Sequence, residues 1–198
     1  MSRTRTRLRL VTIAAAAAVV AGLGAVTFNA SAAENSADAS AAAGASAAGA
    51  SAAGAEFRSR GIPAAIRPPA GSRFIGYAAV TSGTQTYTCT GGVFTGSSVP
   101  EAQLSGSVGQ IHHYKGPTWE QKRDGSIITA AKIGESAVTG AIPQLLLQVN
   151  GHSGNTGILT KANYIQRLRT TGGTAPAGAC TDGATKAVKY GAIYVFWA

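Results

Sequence analysis

The chain has 198 residues, 17 Lys+Arg against 8 Asp+Glu, two cysteines, and only 13% charged residues. That length holds one ordinary domain plus extra segments, because domains usually run to about 100–200 residues. No apolar run beyond the extreme N-terminus is long enough to cross a bilayer, which excludes a multi-span helical membrane protein. Two cysteines exclude a disulfide-dense miniprotein and a four-cysteine zinc site.

The N-terminus reads as an export signal. Arg3, Arg5, Arg7 and Arg9 form a positive segment, Leu10 to Val26 is uncharged and apolar, and Ala30-Ser31-Ala32 offers a small-residue cleavage site. The arginines are never adjacent, so no twin-arginine pair is present. The expected address is therefore secreted, with residues 1–32 removed and no transmembrane segment left; an uncleaved anchor is the alternative. Residues 33–55 follow as a low-complexity stretch in which 20 of 23 residues are Ala, Ser or Gly. Without large side chains to bury, such a segment cannot offset the entropy of ordering its backbone, so a disordered linker is expected. Composition shifts at Glu56-Phe57, and residues 56–198 are expected to form a single β-rich domain. From Phe57 onward 13 basic residues face 5 acidic ones, a net +8. Outside a cell that charge points to an anionic wall polymer or glycan as partner. The basic residues are scattered rather than interleaved with aromatics, so specific nucleic-acid binding is not expected. The oligomeric state is not legible.

In chain order, Arg73 to Val80 and Thr84 to Thr90 read as short strands separated by Ser82-Gly83. In the second, Gln85, Tyr87 and Cys89 share one face. Asp124-Gly125 lies between Trp119-Glu120 and Ile127-Ile128 and predicts a hairpin with a type I′ turn. Ile142 to Val149 is a largely apolar run, expected as a buried strand. A short helix is conceivable over Leu159 to Asn163. Tyr164 to Thr170 alternates, with Ile165, Arg167 and Arg169 opposite Tyr164, Gln166 and Leu168. Tyr190 to Trp197 is a final aromatic strand whose Tyr190, Ala192, Tyr194 and Phe196 share a face that reads as core. Many short strands with Gly/Pro punctuation imply an all-β fold, an antiparallel β-sandwich or barrel. An even cysteine count in an exported chain makes a Cys89–Cys180 disulfide the expectation, two unpaired thiols being the alternative.

Six motifs then occur in a fixed order: GTQTYTC (Gly83 to Cys89), HYKGPTWE (His113 to Glu120), DGS (Asp124 to Ser126), IPQLLL (Ile142 to Leu147), YIQRLRTTGGTAP (Tyr164 to Pro176) and YGAIYVFW (Tyr190 to Trp197). Together they resemble the domain of unknown function 3455 family, secreted proteins of bacteria and fungi, over roughly Ile62 to Trp197. The resemblance implies an exported single-domain protein and brings no established reaction or ligand. Two positions depart from the family pattern. Gln144 stands where such proteins commonly have tryptophan, and Ile193 stands where an aspartate is common in the last strand.

The His113 to Ser126 block carries the candidate chemistry. His113 is suited to acid–base work near neutral pH, with Glu120 or Asp124 as carboxylate partner. The bland reading has Gly116-Pro117 as a turn, Trp119 as core and His113 hydrogen-bonded locally. His112, His113 and His152 lack any metal-ligand spacing, so no metal is expected. Gly151 to Asn155 has Asn155 where a nucleophile elbow needs glycine, and reads as a polar turn. No dinucleotide fingerprint occurs in the mature chain, and no cofactor is expected. The ligand-binding candidates are Tyr87, His113, Tyr114, Trp119 and Glu120. The leading expectation is a secreted, disulfide-tied β-domain that binds a surface polymer or small ligand without catalysis. The alternatives are a secreted hydrolase using His113 with Glu120 or Asp124, and a structural envelope protein.

Overall fold

A computed structural model of the chain describes Gly54, Ala55, Phe57 and residues 61–198. The expected signal peptide and nearly all of the expected linker lie outside the described residues. Eight strands follow in order: β1 (Phe74–Thr90), β2 (Val93–Gly106), β3 (Gly109–Tyr114), β4 (Thr118–Gln121), β5 (Ser126–Val138), β6 (Ala141–Gly154), β7 (Tyr164–Gly172) and β8 (Thr185–Trp197). Each pairs antiparallel with the next, and β8 returns to pair with β1, closing a barrel. Between sandwich and barrel, closure selects the barrel, and it leaves no unpaired edge. Among the described residues no helix is long and apolar enough to cross a membrane. The helical expectation over Leu159 to Asn163 reduces to one 3₁₀ turn, Leu159–Lys161.

Alternation along the strands sorts the side chains. Ala78, Leu104, Ile111, Trp119, Ile128, Leu145, Leu147, Ile165, Tyr194 and Phe196 fill the barrel interior. A second apolar layer lies outside the wall, where Leu146, Leu168, Val195 and Trp197 pack against Ile62 and Ile66. This explains the three consecutive leucines of β6. Leu145 and Leu147 point in, while Leu146 points out and is covered by the segment preceding β1. That covering segment is fastened by polar contacts. Gln166 Nε2 donates to Ile66 O at 2.6 Å, and Trp197 Nε1 donates to Gln166 Oε1 at 2.9 Å. Gly134 in β5 sits so close to Ala65 O that a Cβ there would strike the carbonyl.

Three local expectations need correction. Ser82-Gly83 does not separate two strands; it lies inside the 17-residue β1, at shifts in its pairing with both β2 and β8. Such bulges let one long strand bend around a closing barrel. Asp124-Gly125 does stand between two paired strands, but the connection spans Lys122 to Gly125 and only Gly125 has positive φ, at +71°. A type I′ turn needs positive φ at two residues. The longer turn is held instead by Gln121 Oε1, which accepts from Arg123 N at 2.6 Å and Asp124 N at 2.7 Å. Gly151 to Gly154 continues β6 rather than forming a turn.

Candidate functional site

Antiparallel order puts the β1–β2, β3–β4, β5–β6 and β7–β8 connections at one end of the barrel. Toward that end polar and aromatic groups join the aliphatic ones in the interior. His113 on β3 pairs across the ladder with Trp119 on β4. Both point inward and stack with ring centroids 4.3 Å apart and an interplanar angle of 11°. Tyr194 of β8 meets the stack edge-on, 5.2 Å from His113 and 5.7 Å from Trp119. His113 Nδ1 is 2.8 Å from Thr118 O. A carbonyl only accepts, so Nδ1 carries a proton, and in the neutral ring the lone pair is on Nε2. Burial pushes the imidazole down to about 4; the Thr118 bond pulls upward, and the Arg167 and His112 charges add to the depression. The ring is therefore neutral at neutral pH.

Beside this stack is a cavity of about 140 Å³ lined by Gln85, Pro100, His113, Trp119, Leu147 and Arg167 among others. Two nitrogens at its wall, Gln85 Nε2 and Trp119 Nε1, are buried without a hydrogen-bond partner. Gln85 is 3% exposed and Trp119 1%, so neither can turn to water without moving the wall. Gln85 is held by Ser98, whose hydroxyl donates to Gln85 Oε1 at 2.6 Å. Arg167 is fixed by two bonds to Pro143 O, from Nε at 3.1 Å and Nη2 at 2.9 Å. The tyrosine hydroxyls Tyr190 and Tyr194 lie 3.3 Å apart, and burial pushes both phenols upward, so they stay protonated.

The structure brings together some of the residues named from sequence and separates others. His113 and Trp119 share the cavity wall. Tyr87 is buried, and its hydroxyl donates to Gly173 O at 2.5 Å, fastening the β7–β8 connection. Glu120 pairs with His112 on the opposite face of the sheet from His113, and its nearest cation is Lys122 at 3.6 Å. Tyr114 also points outward, where its ring packs against His112, 4.6 Å between centroids. His112 is 2.6 Å from Glu101. Asp124 lies at the other end of the barrel and is engaged by the chain itself. Its Oδ1 accepts from Ser126 N and Oγ, and its Oδ2 accepts from Ile158 N at 2.9 Å. Burial raises the Asp124 carboxyl, but these bonds outweigh it and hold the group below its ordinary value. His113 thus has neither Glu120 nor Asp124 on its face. Among the described residues no three His, Cys, Asp or Glu side chains cluster as a metal site.

Gln85, Arg167 and Tyr194 complete the wall and were not singled out from sequence. A signal was present: Arg167 shares a strand face with Ile165, and Gln85 shares one with Tyr87 and Cys89, so each is a polar side chain on an otherwise buried face. Two shallow clefts of about 770 and 690 Å³ lie near the β4–β5 and β6–β7 connections and share Ile158. The polar groups of Gln121 and Asp124 in the first are already bonded to the chain itself.

The Cys89–Cys180 disulfide is present, with Cα atoms 6.0 Å apart, and joins the end of β1 to the β7–β8 connection. Around it Cys180 N donates to Gly92 O and Gly92 N to Asp182 Oδ1.

A family model described as "Protein of unknown function (DUF3455)" matches residues 94–198. The chain belongs to this family. No curated protein and no solved structure matches it. The match runs from β2 through β8 and takes in every cavity residue except Gln85. Of the two departures from the DUF3455 pattern, Gln144 accepts from Arg169 N at 2.9 Å. Arg169 has φ +51° at a pairing irregularity of β7, so Gln144 secures a bulge two residues from Arg167. Ile193 packs on the outer apolar layer, away from the cavity.

Proposed function

We propose that this DUF3455 protein is exported and holds a small ligand, without transforming it, in the cavity beside the His113–Trp119 stack. The observation that carries the reading is the pair of buried donors without a full hydrogen bond, Gln85 Nε2 and Trp119 Nε1, on residues that line one space. A buried donor left unpaired costs about 1–3 kcal/mol, so a wall holding two of them gains from any molecule that accepts both. Eight-stranded barrels have interiors just wide enough to be filled by side chains or to keep one small ligand. Export is supported by the arginine-led apolar N-terminus and by the disulfide, which suits an oxidising compartment. The non-catalytic reading is supported by the separation of His113 from both carboxylates. A surface polymer fits less well, since Tyr87 and Trp119 are buried and offer no face to a sugar ring outside the barrel.

The test is a thermal-shift screen of small fragments against the protein and against Leu147→Trp, which fills the cavity. A ligand at about 100 times its Kd stabilises by about 2.7 kcal/mol, a readable rise in Tm. The expected result is a rise for fragments bearing hydrogen-bond acceptors that disappears in folded Leu147→Trp. Equal rises in both proteins would place binding elsewhere and end this reading.

A further inference from the structure

Resting on that reading, we propose that the cavity selects a small monocarboxylate with an apolar body about the size of benzene, its carboxylate facing Arg167, Trp119 Nε1 and Gln85 Nε2.

The hydrogen-bond inventory of the wall is one-sided. Trp119 Nε1 has no acceptor and Gln85 Nε2 has only a weak contact with the Tyr190 hydroxyl, whereas Gln85 Oε1 is already taken by Ser98. Arg167 has five N–H groups; two go to Pro143 O and one reaches the Tyr194 hydroxyl, which leaves two on the Nη side of the fork. A ligand must therefore present acceptors. Charge narrows the class further. The ion pairs among the described residues are His112–Glu101, Lys122–Glu120 and Lys132–Glu135, so none of them neutralises Arg167. Arg167 is half-buried, and no acidic side chain lines the cavity. A half-buried guanidinium without a counter-ion, next to two further donors, matches a carboxylate better than a neutral carbonyl.

The rest of the wall sets the body of the ligand. Pro100, Pro117, Leu145, Leu147 and the faces of Trp119 and Tyr194 are apolar. A space of about 140 Å³ is close to the roughly 150 Å³ that holds a benzene-sized guest in a protein interior. The neutral His113 ring adds no second positive charge, so a single negative charge balances the site.

Calorimetric titration of the purified protein with benzoate and with benzamide at pH 7 tests this directly. The two probes share shape and acceptor carbonyl and differ in charge. Benzoate is expected to bind at least tenfold more tightly, and Arg167→Gln, or Gln85→Leu should the first variant fail to fold, to weaken benzoate at least tenfold. In Arg167→Gln, benzamide is expected to change less than threefold. If benzamide binds the protein as tightly as benzoate, the carboxylate assignment is wrong while small-ligand binding stands. If neither binds, and other acceptor fragments still raise Tm in the protein but not in Leu147→Trp, this inference fails alone. If neither binds and no fragment does, both readings fail together.

Discussion

His113 and Trp119 face each other across the β3–β4 ladder and lie ring on ring inside the barrel, 4.3 Å between centroids. The pairing fixes two properties of the cavity at once. It holds the histidine neutral by burying it, and it locks the indole with its N–H buried and without an acceptor.

The buried imidazole predicts an acid-sensitive fold. Well above pH 6.5 both folded and unfolded states carry neutral His113, and the group contributes no pH dependence. As pH falls from about 6.5 toward the folded value of about 4, the unfolded chain takes up a proton that the folded chain refuses. Stability is lost across that window and levels off, for this group, below it. The loss between pH 7 and 4.5 is about 2–3 kcal/mol. Urea unfolding of His113→Gln, which retains a donor for Thr118 O, should show a correspondingly smaller drop. An unchanged pH dependence would contradict it.

Asp124 is predicted to be structural. Its carboxyl is held below the ordinary range, so its contribution is present above that range and lost only as pH falls through the lowered value, beneath the His113 window. Asp124→Ala strands Ile158 N and both Ser126 donors and should cost roughly 1–3 kcal/mol in denaturant titration. Fragment binding at the other end of the barrel should persist in this variant; its loss would tie the two ends together.

Gln166 joins the segment before β1 to the barrel wall. Replacing it with leucine leaves Ile66 O and Trp197 Nε1 without these bonds in a dry layer. The expected cost is roughly 2–4 kcal/mol, with faster hydrogen exchange at the Ile66 and Arg67 amides as the covering segment loosens. Exchange at the parental rate would show that apolar packing of Ile62 and Ile66 suffices.

The disulfide closes a loop with a sequence separation of 91, for which chain-entropy arguments give about 4–5 kcal/mol as an upper figure. Cys89→Ser with Cys180→Ser should lower the denaturation midpoint without changing the strand content seen by circular dichroism. A midpoint unchanged from the parent would mean that the neighbouring backbone bonds and the Tyr87–Gly173 contact already hold that connection.

The strands were legible because their side chains alternate. The face shared by Tyr190, Ala192, Tyr194 and Phe196 is interior, as is that of Gln85, Tyr87 and Cys89. Barrel closure was not legible, since it depends on β8 pairing with β1 over 96 to 122 intervening positions, which no local pattern encodes. The role of Ser82-Gly83 was hidden for a related reason: a small-residue pair reads the same whether it makes a turn or a bulge. His113 and Trp119 stood out by residue type. Arg167 and Gln85 did not, because only the closed ring converts their inward direction into a shared wall.

The most direct measurement of the central claim is the pair of tryptophan indole N–H signals in a nitrogen–proton correlation spectrum at pH 7. The chain has two tryptophans. Trp197 Nε1 already donates to Gln166, whereas Trp119 Nε1 has no acceptor. Titration with benzoate and with a set of neutral carbonyl fragments should move the Trp119 signal downfield as it gains a bond and leave Trp197 in place. A Trp119 signal that stays fixed against every fragment would contradict the barrel as a ligand-binding site.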